Sequence, residues 1–205
     1  MLNALSLEQA YVALIQEKII AYPTETFYAI GGLALSTGAS AAVFTAKKRP
    51  AANPLPVIIG ELEQLPLLAQ DISDAELALA EKFWPGPLSI LFRAGPLLPT
   101  ELLCGSGEIA VRLTPHPGAA ELSRLTGPLS ASSANISGSP AIVDPEQLET
   151  ELIPHLAGAL NLPPNPEGGL PSTLVRVKEG RVLQIVRPGA TSAARLTEAG
   201  WQITA

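Results

Sequence analysis

Twenty prolines are spread along 205 residues, about twice the ordinary frequency of ~5%. Proline fixes its own φ and has no amide hydrogen to donate, so it ends strands and helices rather than continuing them. Many of these prolines stand at the edges of apolar runs, where they cap strands and shape loops. A chain punctuated in this way must build its core from many short elements.

Periodicity says which elements these are. Ser6 and Gln9 have capping-box spacing. Leu7, Ala10, Tyr11, Leu14, Ile15 and Ile19 follow at helical spacing, predicting one amphipathic helix. The run 19–22 reads as a buried strand stopped by Pro23, and a second apolar stretch covers 27–35. A helix is expected over 39–47 and a strand over 56–59. Ser73 and Glu76 open a helix that Pro85 closes after Trp84. Strands are expected over 88–92 and 109–113, then a helix over 117–125 ended by Gly127. The segment 128–134 suits a strand running into a loop. A hairpin over 174–186 and a helix over 191–199 complete the chain. Strands and helices mix without a strict β-α-β repeat, so the expected fold is α/β with a mixed sheet, one domain over 1–205.

Bulk composition narrows the partners. Hydrophobic residues make up 47% and charged residues 16%, enough to bury a core. The net charge of −6 argues against a surface that is wholly a nucleic-acid platform, while leaving room for a small basic pocket. The lone cysteine, Cys104, excludes an intramolecular disulfide. No basic-then-apolar N-terminus is present, and no apolar stretch approaches the roughly 20 residues of a membrane span. A cytoplasmic location with no membrane contact is therefore expected.

Familiar chemistry is missing from the sequence. There is no G-x-x-x-x-G-K-[ST] loop and no G-x-G-x-x-G, so any ATP is held by another device. His116 and His155 lack the spacing of a zinc site, and no G-x-S-x-G elbow offers a nucleophile; no metal site is expected in the protein itself.

Four segments remain. Lys47, Lys48 and Arg49 lead into a proline-rich loop, and clustered Lys and Arg suit a triphosphate, although cations at a helix end also suit the helix dipole. Thr24 and Thr26 flank Glu25 just after a strand, either as a plain turn or as hydroxyls lining a cleft. Ser130, Ser132, Ser133, Asn135, Ser137 and Gly138 form a small polar segment, either a plain turn or one that lets a phosphate or ribose approach the backbone. Arg112 interrupts the apolar strand Ala110-Val111-Arg112-Leu113 and needs either an internal carboxylate or a bound anion.

In this order the segments resemble the YrdC-type family of L-threonylcarbamoyladenylate synthases. The resemblance runs from about Leu7 to Pro188. It takes in Pro23-Thr24-Glu25-Thr26, Lys47 to Pro50 with Asn53-Pro54-Leu55, and Trp84-Pro85-Gly86-Pro87-Leu88. It also takes in Ala110-Val111-Arg112, Ser133-Ala134-Asn135 with Ser137-Gly138, and Pro171-Ser172-Thr173 with Arg187-Pro188-Gly189. Phe27 and Ala29 depart from it, standing where Val and Gly are usual.

The resemblance implies a twisted mixed sheet flanked by helices, with a large, open, positively lined cleft. It implies conversion of L-threonine, bicarbonate or CO2, and ATP with Mg²⁺ into L-threonylcarbamoyladenylate and pyrophosphate. A separate tRNA transferase complex would take that product for t6A modification. By the same resemblance Lys47 and Arg49 act on the phosphates. Ser133, Asn135 and Arg187 bind the adenylate, and Thr26, Arg112 and Ser172 lie near threonine. Thr24 and Asn53 complete the substrate-binding set. The alternative is a paralogue of the same fold that binds nucleotide or double-stranded RNA with little synthase activity. The loop 50–56 and the segment 163–171 are the candidate lids.

Overall fold

Local signals fix most helix starts. In the computed structural model, which describes residues 2–48 and 53–204, both expected capping boxes form. Ser6 and Gln9 open α1 (Leu7–Ile15), and Ser73 and Glu76 open α3 (Asp74–Phe83). Ser36 caps α2 (Thr37–Lys47), which starts two residues before the expected helix because the hydroxyl accepts from the Ala39 amide. His116 caps α5 (Pro117–Thr126), and Ser192 caps α6 (Ala193–Glu198). One further turn, α4 (Thr100–Leu103), has no side-chain cap.

Helix α1 stops short of the expected Ile19. Glu17 takes φ 58, reversing the chain, and Ile19 joins the main core instead. The apolar spacing was real, but its last member belongs to the approach to the next strand.

Among the described residues twelve strands form two mixed sheets. They are β1 (Ala4–Leu5), β2 (Ile20–Pro23), β3 (Tyr28–Gly31), β4 (Val57–Ile59), β5 (Leu88–Arg93) and β6 (Glu108–Leu113). Then come β7 (Leu129–Ser130), β8 (Ser132–Ser133), β9 (Ala159–Leu160), β10 (Thr173–Val177), β11 (Val182–Arg187) and β12 (Gln202–Thr204). One sheet has the order β1-β9-β2-β3-β8, the other β12-β11-β10-β5-β6-β4-β7. The expected hairpin is the antiparallel pair β10/β11. Where one sheet was expected there are two, because the segment 128–134 crosses between them: β7 pairs with β4, and β8 with β3.

The sheets are sewn together at that crossing. The Ser130 amide donates to Gly32 O at 2.9 Å, the Gly32 amide donates to Ser130 Oγ at 3.1 Å, and Tyr22 donates its hydroxyl to Ser130 O at 2.7 Å. Gly31 permits the approach, since a Cβ there would sit 1.6 Å from Ser130 O. Burial raises the Tyr22 pKa, so this buried phenol stays protonated and keeps donating.

Period-two alternation divides the larger sheet. Ile90, Phe92, Ile109, Val111 and Val175 join the main core. Ser89, Leu91, Ala110, Arg112 and Leu174 take the other face, which lines a cavity.

Candidate functional site

That cavity, of about 520 Å³, lies where the two sheets diverge. Thr24, Thr26, Tyr28, Ala29 and Ser133 come to it from the smaller sheet and its loop. Ser89, Arg112 and Arg187 come from the larger sheet, with Ser172 just before β10. Pro54, Leu55 and Pro56 close one side. Its size falls within the range of about 300–1,000 Å³ typical of small-molecule sites.

Arg112 is held by the sheet and by an acid. In the parallel pair β4/β6 it lies opposite Ile58. Its Nη1 stands 2.6 Å from Glu25 Oε1 and donates to Thr26 Oγ1 at 3.3 Å. Of the two partners open to Arg112 on sequence grounds, the structure supplies the internal carboxylate. Among the described residues Oε1 receives no aligned hydrogen bond, so charge carries that contact, while Thr114 donates to Glu25 Oε2 at 2.9 Å and orients the carboxylate. The pair is nearly buried, with side-chain exposures of 9% and 13%. Removing one partner from such a pair typically costs about 3–5 kcal/mol.

The hydroxyls are ordered as well. Thr24 Oγ1 donates to Phe27 O at 2.7 Å and lies 3.3 Å from Thr26 Oγ1, so the Thr-Glu-Thr segment is a tight turn that also lines the cavity. Across the cavity Ser172 Oγ is 2.9 Å from Ser89 Oγ. Arg187 Nη2 donates to Ser172 O at 2.8 Å and to Ser172 Oγ at 3.1 Å. The parallel register Leu174↔Ser89 of β10 and β5 brings together these serines, which are 83 positions apart in sequence. Tyr28 donates to Asn161 Oδ1 at 3.2 Å; burial, helped by the charge of Asp144, pushes its pKa up to about 12, which leaves it a donor rather than a base.

Thr24, Thr26, Arg112, Ser133, Ser172 and Arg187 thus meet in one cavity. Lys47 and Asn135 stand behind its wall. Lys47, 1% exposed, donates through Nζ to the Ser133 carbonyl and lies 3.4 Å from Asn135 Oδ1. Asn53 is exposed beside Pro54 at the cavity edge. Arg49 lies outside the described residues. Of the candidate lids, 50–52 also lie outside them, and the 163–171 segment is tied to the Thr-Glu-Thr turn by Glu167 N to Glu25 O (3.1 Å) and Gly168 N to Thr26 O (2.8 Å).

Two contributors were not among the expected site residues. Ser89 is the polar interruption of an apolar strand, the same signal that marked Arg112. Glu25 sits between the two threonines, and only the fold shows that it faces Arg112.

The departures Phe27 and Ala29 both line the cavity. Ala29 lies opposite Ser133 in the β3/β8 register, so its methyl group narrows the space beside that serine.

Among the described residues no group of three His, Cys, Asp or Glu side chains is arranged to hold a metal ion, and no helix is long and apolar enough to cross a membrane.

Comparison with known proteins finds relatives along most of the chain. The Sua5/YciO/YrdC family model, described as telomere recombination, matches residues 12–189. A putative threonylcarbamoyl-AMP synthase of Mycobacterium tuberculosis is 36% identical over 181 residues, covering 88% of this chain and 82% of that protein. The threonylcarbamoyl-AMP synthase of Bacillus subtilis is 32% identical over 197 residues, covering 95% of this chain and 56% of its own length. The crystal structure of Pyrococcus abyssi Sua5 complexed with L-threonine superposes with a TM-score of 0.88 at 30% identity; it covers 98% of this chain, which spans 61% of that one. The match along most of the sequence and the shared architecture place this chain in the Sua5/YciO/YrdC family.

Proposed function

We propose that the protein is an L-threonylcarbamoyladenylate synthase, making threonylcarbamoyl-AMP and pyrophosphate from L-threonine, bicarbonate or CO2, and ATP. One observation carries the reading: Thr26, Arg112, Ser133, Ser172 and Arg187, scattered over more than 160 positions, converge on a single cavity. The naming of its relatives as threonylcarbamoyl-AMP synthases supports it. So does the L-threonine in the Pyrococcus abyssi structure.

The chemistry asks for positioning and charge neutralisation more than for a protein base. Threonine's amine and bicarbonate give a carbamate and water. A carbamate oxygen then attacks the α-phosphorus of ATP, and the bond to pyrophosphate breaks. Arg112, Thr26 and Ser172 hold the threonine end, with Arg112 receiving its carboxylate through a planar fork. Ser133, Asn135 and Arg187 hold the adenylate. Arg187 donates to Ser172 and so links the two ends. Lys47 and Arg49 offset the phosphate charge; to reach a phosphate, Lys47 exchanges its bond to the Ser133 carbonyl. Thr24 shapes the turn that carries Thr26, and Asn53 stands at the edge. Mg²⁺ would accompany the triphosphate and offset part of its charge, held mainly by phosphate oxygens and water. The product passes to a separate transferase that modifies tRNA. A concave site of this size suits a small molecule better than an RNA duplex.

The test is pyrophosphate release by the purified protein with ATP and Mg²⁺, leaving out threonine or bicarbonate in turn. Release that requires both is the expected result. Release that requires neither, or no release while ATP still binds, refutes the reading.

A further inference from the structure

Among the described residues the contacts to the Arg112 guanidinium fall on one terminal nitrogen. Nη1 meets Glu25 and Thr26, whereas Nε is buried and has no hydrogen-bond partner among the described residues. A buried N–H on a cation is costly to leave without an acceptor. Nε and Nη2 share the edge that forks onto a carboxylate. Arg112 lines the cavity, while Glu25 lies behind it.

Glu25 is itself fixed on several sides. Thr114 donates to its Oε2, and the Thr114 amide donates to Ile59 O at 3.2 Å, anchoring that hydroxyl on the sheet. The Glu25 carbonyl accepts from the Glu167 amide. The carboxylate therefore has little freedom to follow a moving arginine.

We propose that Glu25 is a positioning residue: by holding Nη1 of Arg112 it fixes the guanidinium at the cavity wall, ready for the substrate's carboxylate. The inference rests on the reading of threonine as the ligand at Arg112. Charge alone argues the opposite sign. A carboxylate at 2.6 Å neutralises Arg112, so a Glu25 that merely competed with substrate would weaken threonine binding, and its removal would tighten it. The two ideas thus predict opposite effects for one substitution.

The experiment titrates L-threonine, and separately MgATP, into the full chain as wild type, Glu25→Gln, Glu25→Asp, Arg112→Gln and the Glu25→Gln/Arg112→Gln double variant. Melting temperatures are recorded for all five, and kcat and KM for threonine are measured alongside. Glu25→Gln keeps the shape of the side chain and removes its charge. Its threonine Kd is expected to rise roughly 10-fold or more, as when outer-shell partners of metal ligands are removed, with the ATP Kd changing by less than about twofold. The threonine KM rises by a larger factor than kcat falls. In the Arg112→Gln background the same change adds less than about twofold, because Glu25 acts through Arg112.

Glu25→Asp keeps the charge and draws it back by one methylene. It guards against a Gln variant that fails to fold, and it is expected to weaken threonine binding as well. Wild-type threonine affinity in Glu25→Asp, tighter threonine binding in Glu25→Gln, or fully additive losses in the double variant each overturn the proposal. If Arg112→Gln weakens threonine and neither Glu25 variant does, only the positioning role fails. If threonine does not bind the wild type in the presence or absence of MgATP, the proposed function fails and takes this inference with it.

Discussion

Gly31→Ala tests the junction on which the cavity depends. The added methyl group would lie 1.6 Å from the Ser130 carbonyl oxygen and 2.7 Å from its carbon, both backbone atoms that no rotamer change can move aside. Real contacts of this kind hardly occur below 3.0 Å, so β3 and β7 must separate. Forcing a group into a packed interior costs about 1–3 kcal/mol. Separation also loosens the Tyr22 hydroxyl and Gly32 amide bonds to Ser130, each worth about 1 kcal/mol. A loss of roughly 3–5 kcal/mol follows, a large part of the about 5–15 kcal/mol that holds a typical domain. Urea unfolding followed by circular dichroism measures it, with the midpoint shifting and the slope unchanged. Near-wild-type stability, a loss under about 1 kcal/mol, would refute the account of this junction as a close backbone contact.

Two further substitutions separate roles elsewhere. Lys47→Met removes the buried ammonium while keeping the length of the side chain; pyrophosphate release is expected to fall about 100-fold or more with little change in melting temperature. Retained activity with a large fall in stability would instead make Lys47 a structural cation for Ser133 and Asn135. Glu108, which also lines the cavity, pairs with Arg176 at 2.6 Å, and hydrogen bonding from that arginine holds its pKa below the ordinary 4.5. Its contribution to stability is complete above the unfolded value and is lost as pH falls through the lower folded value. The melting temperatures of wild type and Glu108→Gln should therefore differ at pH 6 and converge as pH drops below 4.5. A constant difference down the acid range would show that the ion pair contributes nothing.

The legible parts of the molecule were those with local causes. Ser6 with Gln9 and Ser73 with Glu76 need only three residues of separation to cap a helix, and both do. Pro117 at a helix start and Gly127 after its end bracket α5 in the same way. Ile19 was misleading because helical spacing cannot report that Glu17 reverses the chain. The two-residue strands β1 and β9 left no periodic trace, since two residues cannot show a period and their pairing partner lies some 155 positions away.

The site divides along the same line. Sequence marked Arg112 as an anomaly, a cation in an apolar strand, and physical reasoning required a partner for it. It could not choose between a carboxylate and an anion, because the choice depends on which loop the sheet brings alongside. The fold places Glu25 and Thr26 on Nη1, 86 or more positions away, and leaves Nε buried without an acceptor among the described residues. Ser89 and Ser172 show the same dependence: one is a polar break in an apolar strand and the other part of a motif, and only the β5/β10 register sets their hydroxyls 2.9 Å apart. The order of caps and breakers by itself determined most of the elements that form, and the motif residues pointed to most of the side chains that meet in the cavity, for capping and chain breaking act within a few residues. Tertiary structure alone decided how the segment 128–134 passes from one sheet to the other and thereby opens a cavity between them, because strand pairing joins backbone groups that the sequence keeps far apart.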